Sequence, residues 1–170
     1  MSSPHDFAFF HGEWEVLDRR RTDFLDPGSG WEEFPATSRC QPLFDGAANL
    51  DEIDMPHLSA KGATLRLFAP ETGRWSLNWA SSVSGTLFPP VFGRFEGGRG
   101  EFYGDDTFPH SRLRSSGGTP IGKDVRVRFV WSGISATSAR WEQAFSLDDG
   151  RTWLTNWTME FTRASETPAG

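Results

Sequence analysis

Between residues 125 and 162, apolar and polar side chains alternate almost one for one, and the apolar partners are mostly large rings. Val125, Val127, Phe129 and Trp131 alternate with Arg126 and Arg128. Trp141, Gln143 and Phe145 alternate with Arg140, Glu142 and Ala144. Trp153, Thr155, Trp157, Met159 and Phe161 alternate with Leu154, Asn156, Thr158 and Glu160. A period of two sends successive side chains to opposite faces of a strand, so these segments read as strands with one apolar face. Upstream, Trp75, Leu77 and Trp79 oppose Ser76 and Asn78 in the same way.

No comparable helical period exists; a single turn over 4–11, carrying Phe7, Phe9 and Phe10, is the one helical candidate. The remainder reads as strands over 13–22, 31–44, 48–55, 63–68, 74–80, 91–96, 101–105, 125–131, 139–146 and 152–162, parted by Gly- and Pro-containing turns. The stretch 107–123 is irregular and reads as a mobile loop. Short connections imply antiparallel neighbours, and about ten twisted strands tend to curl and close. The expectation is an all-β, roughly ten-stranded antiparallel closed barrel over 1–163, plugged by the N-terminal turn, with a disordered tail over 164–170. Eight Trp and fifteen Phe suit that reading, because aromatic rings fit a half-buried pleated surface.

Composition narrows the partners. A net charge of −6 leaves no basic footprint for nucleic acid or for an anionic membrane surface. The N-terminus has no basic segment followed by an apolar run, so a cytoplasmic location is expected. One cysteine, Cys40, excludes an intramolecular disulfide and a cysteine zinc site, and reads as a small buried apolar residue.

Gly12-Glu13-Trp14, following Phe7-Ala8-Phe9-Phe10, resembles the opening of calycin-type, lipocalin-like barrels. In that superfamily a Gly-x-Trp begins the first strand, and the Trp closes the barrel floor beneath an arginine of the last strand. Here Arg163 matches that arginine, a guanidinium stacked on an indole. Phe9-Phe10-His11-Gly12-Glu13-Trp14 and the hairpin from Thr64-Leu65-Arg66-Leu67-Phe68 to Arg74-Trp75-Ser76-Leu77 resemble the bacterial lipocalin-like DUF1579 group. The resemblance implies a barrel and a ligand cavity and carries over no catalytic residue. Haem barrels of the nitrobindin type share this architecture but ligate iron through an inward histidine. His5, His11, His57 and His110 all fall in the N-terminal segment or in loops, which disfavours haem, and no pair has metal-ligand spacing. No cofactor and no metal are expected.

Ser146-Leu147-Asp148-Asp149-Gly150-Arg151-Thr152-Trp153 matches the Asp-box pattern at every defining position. The chain is too short for the propellers in which that box recurs, so its implied role is structural. Asp148 accepts turn amides, Gly150 supplies a positive φ, and Trp153 packs over the turn.

The expected ligand-facing residues are Trp79, Tyr103, Trp131, Trp141, Gln143 and Trp157. At any single Trp, plain core packing competes with a ligand wall. A buried Gln143 needs hydrogen bonds, from a ligand or, more economically, from a cross-strand side chain or water. Carboxylates at Asp51, Glu52 and Asp54 and at Glu101, Asp105 and Asp106 offer candidates for acid–base chemistry, with a solvated outer face as the better reading. No nucleophile elbow, phosphate loop or triad order is present, so whether the chain is an enzyme stays open. Three readings follow: a binder of a small apolar or aromatic molecule in the barrel, an isomerase, cyclase or hydrolase using the same pocket, or a homodimerising structural protein with a filled barrel.

Overall fold

A computed structural model describes residues 2–109 and 122–165. The tail beyond 165 and the centre of the 107–123 stretch, with His110, therefore lie outside the described residues. The strands are β1 (Gly12–Arg21), β2 (Trp31–Leu43), β3 (Ala48–Met55), β4 (Ala60–Ala69), β5 (Arg74–Ser81), β6 (Thr86–Leu87), β7 (Val91–Glu96), β8 (Arg99–Phe108), β9 (Lys123–Ser132), β10 (Ser138–Ser146) and β11 (Leu154–Arg163). Short 3-10 turns at Ala8–Phe10, Phe44–Gly46 and Pro56–Leu58 are the only helical elements among the described residues. Ten strands close a ring in the order β4-β3-β2-β1-β11-β10-β9-β8-β7-β5, sealed by the β4–β5 pairing, and β6 adds to β5 as an extra strand. Every pairing is antiparallel. The expected barrel is therefore present. β8 reaches Phe108, past the predicted limit of 105, because Asp106 to Phe108 pair with Lys123 to Val125.

Closure removes sheet edges and creates an interior whose filling depends on the inward side chains. One end is filled by the N-terminal segment. Phe7 is fully buried and meets Trp75 and Phe95 edge-on at 5.0 and 4.9 Å, while Phe10 stacks on Trp14 at 5.7 Å. Trp14 donates its indole N–H to the Phe10 carbonyl at 2.8 Å. The Arg163 guanidinium lies 4.2 Å from the Trp14 ring centre and donates to the carbonyls of His11, Phe9 and Ala136. The bonds to Phe9 and His11 satisfy carbonyls where the chain leaves the 3-10 turn for β1, tying the plug to the last strand, and the bond to Ala136 reaches the β9–β10 connection.

The β10–β11 hairpin has one irregularity that redirects a predicted face. Gln143 pairs with Trp157 but Ala144 pairs with Thr155, so Asn156 is an extra, unpaired residue on β11. Such a bulge reverses the facing of everything beyond it. Trp157, Met159 and Phe161 point inward as expected, whereas Trp153 sits on the outer surface, 4.7 Å beneath the Arg128 guanidinium and 5.8 Å from the Tyr103 ring. In the turn, Asp148 accepts from the Thr152 amide and hydroxyl at 2.8 and 2.6 Å and from Ser146 at 2.7 Å. The Ser146 hydroxyl accepts the Gly150 amide at 2.8 Å. Asp149 and Gly150 take φ of 58° and 85°, the second position suiting glycine.

Candidate functional site

Across the front of the sheet, the register aligns inward residues in rows. Arg20, Trp157, Gln143, Phe129 and Phe102 follow one another through β1, β11, β10, β9 and β8. On the opposite wall Cys40, Asp51, Thr64 and Trp79 do the same through β2, β3, β4 and β5. Between the walls lies a cavity in two parts. A small inner chamber of about 60 Å³ reaches towards the plugged end and includes Phe10, Asp51, Thr64, Arg66 and Trp131 in its lining. A mouth of about 460 Å³ opens at the other end, bordered by Phe24, Leu58, Phe88, Phe108 and Phe145 among others. Leu77, Trp79, Phe129, Gln143 and Trp157 line both parts and form a collar between them.

The collar is aromatic and nearly orthogonal in its packing. Trp141 and Trp79 meet Trp157 edge-on at 5.6 and 6.3 Å, and Phe129 meets Trp141 at 4.9 Å. Edge-to-face rings leave gaps between them rather than filling the space. Trp79 is accommodated by a glycine: a Cβ on Gly62 would lie 1.8 Å from the Trp79 Cη2. Of the six residues expected to face a ligand, Trp79, Trp131, Trp141, Gln143 and Trp157 border the inner chamber. Gln143 meets the Asn156 side chain at 2.9 Å, so the bulge residue supplies its hydrogen bond. Tyr103 is the exception. It projects from the outer face of β8, donates to Glu101 at 2.8 Å, and lies apart from the cavity, because on this strand Gly100 and Phe102 occupy the inward positions.

In the first carboxylate cluster the solvated reading is overturned for Asp51 alone. Asp51 is buried, 5 % exposed, and forms a close ion pair with Arg66, 4 % exposed. Ser38 contacts Asp51 at 3.5 Å, and Arg66 also donates to the Asn49 side-chain amide oxygen, Oδ1, at 3.0 Å. Burial pushes the Asp51 carboxyl up, and the Arg66 charge opposes that shift. Arg66 in turn lies 4.9 Å from the Phe10 ring and 5.6 Å from that of Trp131, so its charge is shared between a carboxylate and aromatic faces. A second inward carboxylate, Asp18, is fully buried and raised to about 6 by burial, with the Trp157 hydrogen bond and the Arg20 charge acting against the shift. Glu52 and Asp54, by contrast, face Lys61 outside the barrel. Glu101 bonds Arg99 on the outer face, Asp105 is exposed, and Asp106 borders the mouth.

Sequence reasoning did not single out Asp18 or Arg66. Asp18 shares its parity with Trp14 and Val16 in β1, a signal that was available. In β4 the pattern misleads: Thr64 and Arg66 are buried while Leu65 and Leu67 lie on the other face, half-buried.

Cys40 is buried, as expected, and its thiol is pushed up to about 12 by burial, which makes it a poor nucleophile. His5 and His11 flank the plug, and His57 stacks on Phe34 at 4.7 Å beside Glu32 at 3.2 Å. None of these three borders the cavity. Among the described residues no cluster of three or more His, Cys, Asp or Glu is arranged to hold a metal. No described helix is long and apolar enough to cross a membrane. In comparison with known proteins, no family model matches the chain and no curated protein matches its sequence.

Proposed function

We propose that the protein binds a small, largely apolar or aromatic molecule inside the barrel. The observation that carries this reading is the collar of Leu77, Trp79, Phe129, Gln143 and Trp157, which joins the inner chamber to a mouth of about 460 Å³. Ligand sites of this kind are apolar concavities of roughly 300–1,000 Å³ with a few placed polar groups. An aromatic wall offers flat surfaces to a planar ligand, and the buried Asp51–Arg66 pair supplies polarity at the far end. The open mouth speaks against the filled-barrel, dimerising alternative. The lipocalin-like resemblance, drawn from Gly12-Glu13-Trp14 and Arg163, agrees with the stacking of Arg163 on Trp14 and with a cavity-bearing barrel.

An enzymatic use of the same pocket is the second reading, favoured by the inward Asp51 beside the chamber. That carboxylate is engaged by Arg66 and contacted by the Ser38 hydroxyl, an arrangement that serves a fixed polar end of the chamber as readily as proton transfer.

Native mass spectrometry of protein purified from its own host tests the binding reading, with a co-purifying small molecule expected. Quenching of tryptophan fluorescence by an aromatic compound series then ranks ligands. If nothing co-purifies and nothing quenches, the binding reading fails.

A further inference from the structure

Two residues that line the inner chamber carry side-chain hydrogen-bond donors without acceptors among the described residues. Arg66 is 4 % exposed and its Nε–H has no partner among the described residues. Trp131 is 1 % exposed and its indole N–H has none among those residues either. Both residues line the same small chamber. An unpaired buried donor forfeits the hydrogen bond it had with water, so such groups are rare and mark a missing acceptor. Acceptors, by contrast, are already engaged here: Asp51 receives Arg66 and contacts Ser38, and the Asn49 oxygen receives Arg66.

We infer that the chamber receives an uncharged acceptor oxygen, a carbonyl or ether, at the leading end of a flat apolar ligand, hydrogen-bonded by the donors that Arg66 and Trp131 leave unpaired. The inference rests on the binding reading above and specifies the ligand's chemistry. The chamber's size, about 60 Å³, admits one small polar group and leaves the ligand body in the collar and mouth. Its charge state argues for a neutral group. Asp51 already neutralises Arg66, so a carboxylate would bring an unbalanced negative charge into a buried site and next to Asp51. A neutral oxygen takes the free N–H groups without that penalty.

Isothermal titration calorimetry of the full chain with three matched probes tests this: 2-acetylnaphthalene, 2-ethylnaphthalene and 2-naphthoate. The ketone should bind about tenfold more tightly than the hydrocarbon, the scale of one buried hydrogen bond. The carboxylate should bind most weakly. Trp131→Phe, which keeps the ring and removes the N–H, should reduce the ketone's advantage several-fold. Removing Arg66 alone would strand Asp51, so the paired replacement Arg66→Met with Asp51→Leu is used, with near-ultraviolet circular dichroism as the check on folding. In that variant, which keeps the Trp131 N–H, the ketone's advantage should also fall several-fold, and the hydrocarbon should bind at least as well as it does to the native chain.

Equal affinity of ketone and hydrocarbon for the native chain overturns the inference while leaving an apolar pocket standing. Tightest binding of 2-naphthoate overturns it in favour of an anion site. A ketone preference unchanged in both Trp131→Phe and the paired variant assigns the preference to other donors and also overturns it. Absence of binding by all three probes overturns it together with the binding reading on which it rests.

Discussion

Trp157 donates its indole N–H to the Asp18 carboxylate across 2.7 Å, joining a collar residue on β11 to a fully buried acid on β1. The bond holds the ring that Trp79 and Trp141 meet edge-on, so the shape of the collar depends on a titratable group. The second carboxylate oxygen of Asp18 has no partner among the described residues, and Arg20 lies one inward position further along, stacked 4.4 Å over Trp157.

This arrangement makes stability depend on pH in a defined direction. Asp18 has a folded-state value of about 6 against an ordinary 3.8, so the folded state holds its proton more tightly than the unfolded chain does. Below 3.8 both states are protonated and the carboxyl imposes no penalty. Stability then falls as pH rises from 3.8 to about 6, and the loss is complete above that window. A displacement of this size corresponds to about 3 kcal/mol. Asp18→Asn retains an acceptor for Trp157 and removes the charge. It should therefore stabilise the protein by up to about 3 kcal/mol at pH 8 relative to its effect at pH 4, measured by urea denaturation at both values.

Gly62 and Trp79 should be coupled. A Cβ at Gly62 would overlap the Trp79 ring, 1.8 Å from Cη2, and the ring must move or the strand must bend. Gly62→Ala should destabilise the fold by about 1–3 kcal/mol, the range for overpacked cores. Combining it with Trp79→Leu should recover at least about 1 kcal/mol of that loss, as read from a double-mutant cycle in chemical denaturation. Additive effects would mean that the two side chains do not compete for the same space.

Arg163→Lys should behave as a disruptive change. The guanidinium serves the carbonyls of Phe9, His11 and Ala136 while stacking on Trp14, and an ammonium cannot reproduce that planar fork. A loss of about 2–4 kcal/mol is expected, because hydrogen bonds made by a charged group contribute more than neutral ones. Hydrogen exchange of the Phe10 amide, which bonds the Phe7 carbonyl at 3.0 Å, should accelerate in the variant as the plug loosens.

Asp148 should show the opposite pH behaviour from Asp18. Hydrogen bonds from the Thr152 hydroxyl and amide and from Ser146 hold its carboxyl down at about 2, below the ordinary 3.8. Its stabilising contribution is present above 3.8 and disappears as pH falls towards 2. Carbon-detected NMR titration of the carboxyl should give a midpoint near 2, and Thr152→Val should return it towards 3.8.

Much of this architecture is written in local patterns. The period-two alternation in β9, β10 and the distal part of β11 determines an apolar face, and β5 repeats it with Trp75, Leu77 and Trp79. That is sufficient for an antiparallel barrel and for most of the collar, because a strand's inward parity follows from its own residues once one face must be buried. The plug was legible too, as three phenylalanines before Gly12 have no other way of leaving water.

What the chain's pattern could not determine is where that parity changes and which polar groups the closed sheet takes inside. Trp153 shares its spacing with Trp157, yet the bulge at Asn156 turns it outward against Tyr103 and Arg128, and Tyr103 is outside with it. Arg66 lies between two leucines and is nonetheless the buried residue, since across the sheet it meets Asn49 and, diagonally, Asp51. The energy that admits a charge to a low-dielectric interior comes from partners on other strands, and no run of neighbours along one strand encodes them. Alternation alone thus determined the barrel and its aromatic lining, and only closure of the sheet decided that its inner end would hold an ion pair and unpaired donors.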